Sequence, residues 1–116
     1  MSNVYLNLDP LQDMGDGDKE YECEIIQDIL SEGDVVFAEI LKCIDDQDVA
    51  ATGAVIHKFK GCISYVAADS IIEKFQKVED LGRLNNEIPS KQAVQELKDD
   101  YLMIKDLLNQ YIKEVS

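Results

Sequence analysis

The sequence predicts an all-α fold, a four-helix bundle running up-down-up-down with a short additional helix at its N-terminal end. Three observations lead there. Apolar residues recur at spacings of three and four through four long segments. No stretch alternates apolar and polar residues as a half-buried strand would. The only prolines, Pro10 and Pro89, stand beside helix starts rather than inside periodic runs.

Asp9-Pro10 reads as an N-cap followed by proline at the first helical position, opening a short helix to about Met14 that Gly15-Asp16-Gly17 breaks. A helical pattern resumes near Asp18 and runs to about Asp45, with Ile26, Leu30, Phe37, Ile40 and Ile44 on its apolar face. Gly33 either kinks this helix or splits it in two. Asp48 is placed to cap the next helix, with a stripe of Val55, Phe59, Cys62 and Val66. Ile71, Phe75 and Val78 carry the period into a further helix ending near Leu81-Gly82, with Arg83–Pro89 as a polar loop. Ser90 caps the last helix, whose Val94, Leu97, Tyr101, Ile104, Leu108, Tyr111 and Val115 alternate by three and four without a fault.

The chain of 116 residues is long enough for one domain with a modest core. Residues 1–17 read as an N-terminal segment carrying the short helix, and 18–116 as the bundle. At 46% hydrophobic the chain is not disordered throughout. A formal net charge of −13 argues against nucleic acid or an anionic membrane surface as a partner, since its field repels phosphates. Neither a signal peptide nor an apolar run of about 20 residues is present, so no membrane span is expected. Cys23, Cys43 and Cys62 are odd in number and form no CxxC, which predicts reduced, buried thiols in a cytoplasmic protein. With one histidine and scattered cysteines, no structural zinc site is expected.

That one histidine, His57, lies in the stretch VIHKFKGCISYVAA, residues 55–68. On a helix it falls about 160° from both Val55 and Phe59, away from the predicted core stripe. Its neighbours on the same face are Ala50, Gly53, Ala54, Lys60, Gly61 and Ser64, nearly all small. Two mid-helix glycines weaken a helix by roughly 1–2 kcal/mol relative to alanine. Gly61 in particular clears space over the imidazole for a second protein. An exposed neutral imidazole serves as a proton shuttle, a metal ligand or a nucleophile. No partner residues for the first two are evident, and a nucleophile accepting a phosphoryl group calls for nearby cations, which Lys60 and the adjacent Lys58 would supply. The plain alternative is that HKFK is a solvated helix face.

His57-Lys58-Phe59-Lys60-Gly61-Cys62-Ile63-Ser64-Tyr65-Val66-Ala67-Ala68 resembles the signature of histidine-containing phosphotransfer (HPt) domains: histidine, any residue, a hydrophobic residue, lysine, glycine, then small and hydrophobic positions. Upstream, Ile44-Asp45-Asp46-Gln47-Asp48 resembles the turn before the histidine helix of that family. Downstream, Phe75–Arg83 resembles the helix packed beside it, and the likeness covers roughly residues 18–115. Two positions depart from the pattern: Ala67 stands where a glycine is usual, and Ile63 where a small residue is.

The resemblance implies that His57 is the phosphorylated nucleophile, that Lys60 steadies the phosphoryl group and that Gly61 opens the face. It also implies that Glu79 matches a Gln or Glu that hydrogen-bonds one imidazole nitrogen, with Lys58 and Ser64 in support. The implied function is a phosphocarrier in a multistep two-component phosphorelay. His57 would accept a phosphoryl group from the aspartate of a response-regulator receiver domain, fed by a hybrid sensor histidine kinase, and pass it to another receiver. No cofactor is implied for the chain itself, Mg²⁺ being expected on the receiver, and autonomous enzymatic turnover is not expected. A free-standing monomer is the expected form, docking its partners through an apolar patch around His57 drawn from the short N-terminal helix and the first long helix, with Val36 and Ile29 as expected members. The alternative is a helical adaptor that binds signalling proteins without being phosphorylated.

Overall fold

The computed structural model describes residues 4–116. Five helices follow one another: α1 (Asp9–Gly15), α2 (Lys19–Asp45), α3 (Val49–Ile63), α4 (Asp69–Asn85) and α5 (Lys91–Val115). Short connections make successive long helices antiparallel, and α2 packs on α3, α3 on α4, α4 on α5, and α5 back on α2, which closes the bundle. Helix α1 lies against α2.

Three of the four long helices are capped as their sequences dictate. The side chains of Asp18, Asp48 and Ser90 accept from the backbone N–H of Tyr21, Ala51 and Ala93, each satisfying a donor the helix cannot. The cap of α1 differs from expectation. Asp9 is the first helical residue rather than the cap, and its N–H donates to Asn7 Oδ1 at 3.1 Å.

Each long helix contributes one ring to the centre of the bundle. Phe59 of α3 meets Phe37 of α2, Phe75 of α4 and Tyr101 of α5, and Phe37 meets Tyr101, with centroids 5.7–5.9 Å apart in tilted and edge-on pairs that suit aromatic quadrupoles. Tyr101 is the polar member, and its hydroxyl donates to the Leu30 carbonyl at 3.0 Å and contacts Asp34 Oδ1 at 2.9 Å. This ring settles the question of Gly33. Helix α2 runs unbroken through that glycine, and a Cβ there would lie 2.2 Å from the Tyr101 ring. The glycine makes room for an aromatic and does not kink the helix.

The α3 stripe is shifted from its predicted register. Thr52, Ile56, Phe59 and Ile63 are buried, while Val55 and Cys62 are only partly so. Val55 and Ile56 are adjacent and both apolar, so two neighbouring stripes fit the same period. The inner one holds Thr52 because its hydroxyl donates to the Asp48 carbonyl at 2.8 Å. Ile63 is thus core, which accounts for its bulk. Cys23, Cys43 and Cys62 are free thiols and half-buried rather than buried.

Helix α4 continues to Asn85, past the predicted end near Gly82. The glycine is an interior residue, where a Cβ would come 3.2 Å from Val49 Cγ1. The left-handed terminating residue is Asn86, at φ 55°. The extra turn places Arg83 on the helix.

The N-terminal segment belongs to the same core. Leu6, Leu8 and Leu11 join the main hydrophobic cluster. Leu6 also bridges to Ala67, with Asn7 N–H donating to the Val66 carbonyl and Ala68 N–H to the Tyr5 carbonyl. Ala67 is buried and does not take a left-handed conformation, so the alanine is unstrained where a glycine is usual. Buried Glu22 ties three helices together by accepting from Tyr111 of α5 and from Lys19 of α2, while Gln12 of α1 donates to the Tyr111 hydroxyl at 3.5 Å. Among the described residues no helix is long and apolar enough to cross a membrane.

Candidate functional site

His57 sits two turns into α3, about 100° round the helix from buried Ile56 and about 160° from Phe59. That places it at the edge of the buried stripe, facing out between α3 and α4. Its side chain is 66% exposed, and Nδ1 lies 3.0 Å from Glu79 Oε2 of α4. Glu79 is only 4% exposed. It follows Phe75 by one turn and is carried beneath the imidazole by the packing of that ring on Phe59.

A carboxylate so placed needs compensation. Lys60 Nζ stands 2.9 Å from Glu79 Oε1, and Arg83, one turn beyond Glu79 on α4, approaches Oε2 at 3.8 Å. Burial alone would raise the Glu79 carboxyl, but the hydrogen bonds and charge of Lys60, together with His57, outweigh it and hold the group below the usual carboxylate range. Glu79 is therefore ionised near neutral pH. A carboxylate only accepts, so the imidazole must offer it an Nδ1–H, which leaves Nε2 as the ring nitrogen with a free lone pair.

Lys60 is itself held from two sides. Its ammonium donates to Gln76 Oε1 of α4 as well as pairing with Glu79, and its side chain is only 16% exposed. Gln76 in turn donates through Nε2 to Asp80 Oδ1 at 2.7 Å. Lys58, by contrast, is exposed and lies on the opposite side of α3, where it borders a groove against α2 with Asp28, Glu32, Val35 and Cys62. The two lysines thus flank the histidine helix rather than converging on the ring.

At Gly61 and Gly53 an added Cβ would meet nothing within 4 Å. The glycines are not there to relieve crowding inside the protein, and the space they leave is open to the outside. Ser64 closes α3, its hydroxyl donating to the Gly61 carbonyl at 2.6 Å. Between α3 and α4 a cleft of about 600 Å³ runs alongside the imidazole, lined by Ala50, Gly53, Ala54, Glu79, Gly82 and Arg83 among others. Ile29 and Val36, which read from the sequence as members of an apolar docking patch, are buried in the core. The exposed apolar residue of that part of α2 is Val35.

The structure therefore brings His57, Lys60 and Glu79 together and leaves Gly61 open beside them. It places Lys58 and Ser64 away from the ring contacts. Sequence reasoning passed over Gln76, Asp80 and Arg83. With Glu79 they form a polar stripe at helical spacing along α4, whose last member, Arg83, joins it because Gly82 lies inside the helix. Among the described residues no group of three or more His, Cys, Asp or Glu side chains is arranged to hold a metal ion.

The family model described as the Hpt domain matches residues 24–113. No curated protein and no solved structure shows a significant match to the chain.

Proposed function

This chain belongs to the Hpt domain family, whose members perform histidine phosphotransfer in phosphorelays, and on that premise we propose that His57 is its phosphoryl-accepting residue and Nε2 the attacking atom. The donor is the phosphoaspartate of a response-regulator receiver domain. Nε2 attacks phosphorus, the bond between phosphorus and the aspartyl oxygen breaks, and the aspartate leaves as a carboxylate. The imidazole gains positive charge as the N–P bond forms, and the Glu79 carboxylate 3.0 Å from Nδ1 offsets that charge without needing to move. The return step to a second receiver reverses the sequence. Phosphoryl transfer of this kind is assisted mostly by positioning and by charge neutralisation, and the side chains of the site supply both.

Mg²⁺ belongs to the receiver in this reading and needs no ligand from the chain. A hybrid sensor kinase would charge the first receiver. The chain has no turnover of its own, because each cycle begins and ends on a partner's aspartate.

The observation that carries the proposal is an exposed imidazole whose inner nitrogen is fixed by a buried, ionised carboxylate. The test is incubation with phosphorylated receiver domains, scoring acid-labile, base-stable phosphate on the wild type and on His57→Gln. Label on the wild type alone supports the carrier and its site. Binding to receivers without label on either would favour an unphosphorylated adaptor, and equal label on both would place the acceptor elsewhere.

A further inference from the structure

Lys60 is a long, flexible side chain, and free in water its ammonium would sample many rotamers. Here the ammonium stands between two acceptors from α4, Glu79 Oε1 at 2.9 Å and the Gln76 amide oxygen. The amide is oriented as well as placed. Its nitrogen end donates to Asp80 Oδ1 at 2.7 Å, and a carboxylate cannot be a donor, so the oxygen end must be the one turned to Lys60. An ammonium has three N–H groups. One is donated to Gln76 and the ammonium pairs by charge with Glu79, which leaves N–H capacity over.

We infer that Gln76 is a positioning residue for phosphotransfer, holding the Lys60 ammonium so that an uncommitted N–H is available to a phosphoryl oxygen on His57. The inference rests on the carrier reading above and extends it to a residue that does not touch the imidazole. Glu79 alone would not do the same. A single buried carboxylate oxygen draws the ammonium inward, whereas a second, neutral acceptor in the next turn fixes it sideways without adding charge that would repel the phosphoryl group. Gln76 is only half-buried on a helix surface, so replacing it leaves the core untouched.

The test is a double-mutant cycle in the full chain, with Gln76→Met as the near-isosteric change that removes both amide bonds. Rates of phosphoryl uptake from a phosphorylated receiver are measured for wild type, Gln76→Met, Lys60→Ala and the double variant. Gln76→Met is expected to slow uptake by about tenfold. In the Lys60→Ala background the same change should alter the rate by less than about twofold, because the residue it positions is gone. An undiminished effect in that background, or no effect in the wild type, overturns the inference.

A second measurement needs no phosphoryl donor. Relaxation of the Lys60 Cε methylene by NMR should report an ordered side chain in the wild type and a mobile one in Gln76→Met. If the wild type accepts no label, the carrier reading fails while this measurement still decides the positioning. An equally mobile lysine in both proteins would sink it.

Discussion

Glu79 Oε2 and His57 Nδ1 meet at 3.0 Å across the α3–α4 interface, a buried carboxylate under an exposed ring. The contact dictates a tautomer. In the neutral protein the proton should reside on Nδ1, and ¹⁵N chemical shifts of His57 should show one pyrrole-like Nδ1 and one pyridine-like Nε2. In Glu79→Leu both tautomers should be populated, and phosphoryl uptake should fall by about tenfold to a hundredfold. A Nε2–H tautomer in the wild type would refute the assignment of the attacking atom.

The same carboxylate makes stability depend on pH. Its folded-state pKa lies below the ordinary 4.5, so its stabilising contribution is fully present above that value and is lost as pH falls through the folded pKa. Denaturant unfolding of wild type and Glu79→Gln should therefore show a stability difference that is constant near neutral pH and narrows progressively below about 4.5. A difference that does not change on acidification would mean that the carboxylate is not held by Lys60 and His57.

Gly61 faces open space, so filling it should harm docking and not folding. Gly61→Gln should retain helicity and gain up to about 1 kcal/mol of stability from the better helix former. Its uptake of phosphate from a receiver should nevertheless slow. Loss of the fold would assign the glycine a structural role that the surrounding space does not suggest.

Gly33 should behave in the opposite way. Alanine there improves helix propensity, yet its Cβ would lie 2.2 Å from the Tyr101 ring and force the aromatic cluster to shift. We expect Gly33→Ala to destabilise the protein by about 1–3 kcal/mol, measured by thermal or denaturant unfolding. An unchanged midpoint would show that the ring has room to move.

The contrast between these two glycines marks what the sequence could reveal. Gly61 was readable because its meaning is local: it shares a helical face with the histidine. Gly33 was not, because its reason is a ring from α5, far along the chain. The helices themselves, and the caps at Asp48 and Ser90, followed from short-range pattern and side-chain chemistry. The α3 register did not, since Val55 and Ile56 satisfy one period equally and only the hydroxyl of Thr52, with its bond to Asp48, separates the alternatives. Gln76 lay within the predicted helix but its bond to Lys60 crosses between helices, and Arg83 was hidden by a false helix end. A glycine at 82 mimics a helix end, and the true end depends on Asn86 accepting a left-handed backbone. Of the site, His57 and Lys60 were legible from spacing alone. Glu79 entered through the family likeness, because its pairing crosses between helices.

Among the described residues, every polar group gathered at the imidazole, from His57 and Lys60 through Gln76 and Glu79 to Arg83, comes from α3 and α4. Helices α2 and α5 supply the opposite half of the aromatic cluster, through Phe37 and Tyr101, and no ligand to the ring. The chemistry is thus carried by one continuous hairpin that the rest of the bundle merely backs. Such a hairpin asks of the other two long helices chiefly that they present ring-sized residues to Phe59. By the same logic, the outer surfaces of α2 and α5 are free to diversify in sequence without displacing a single atom of the reacting group.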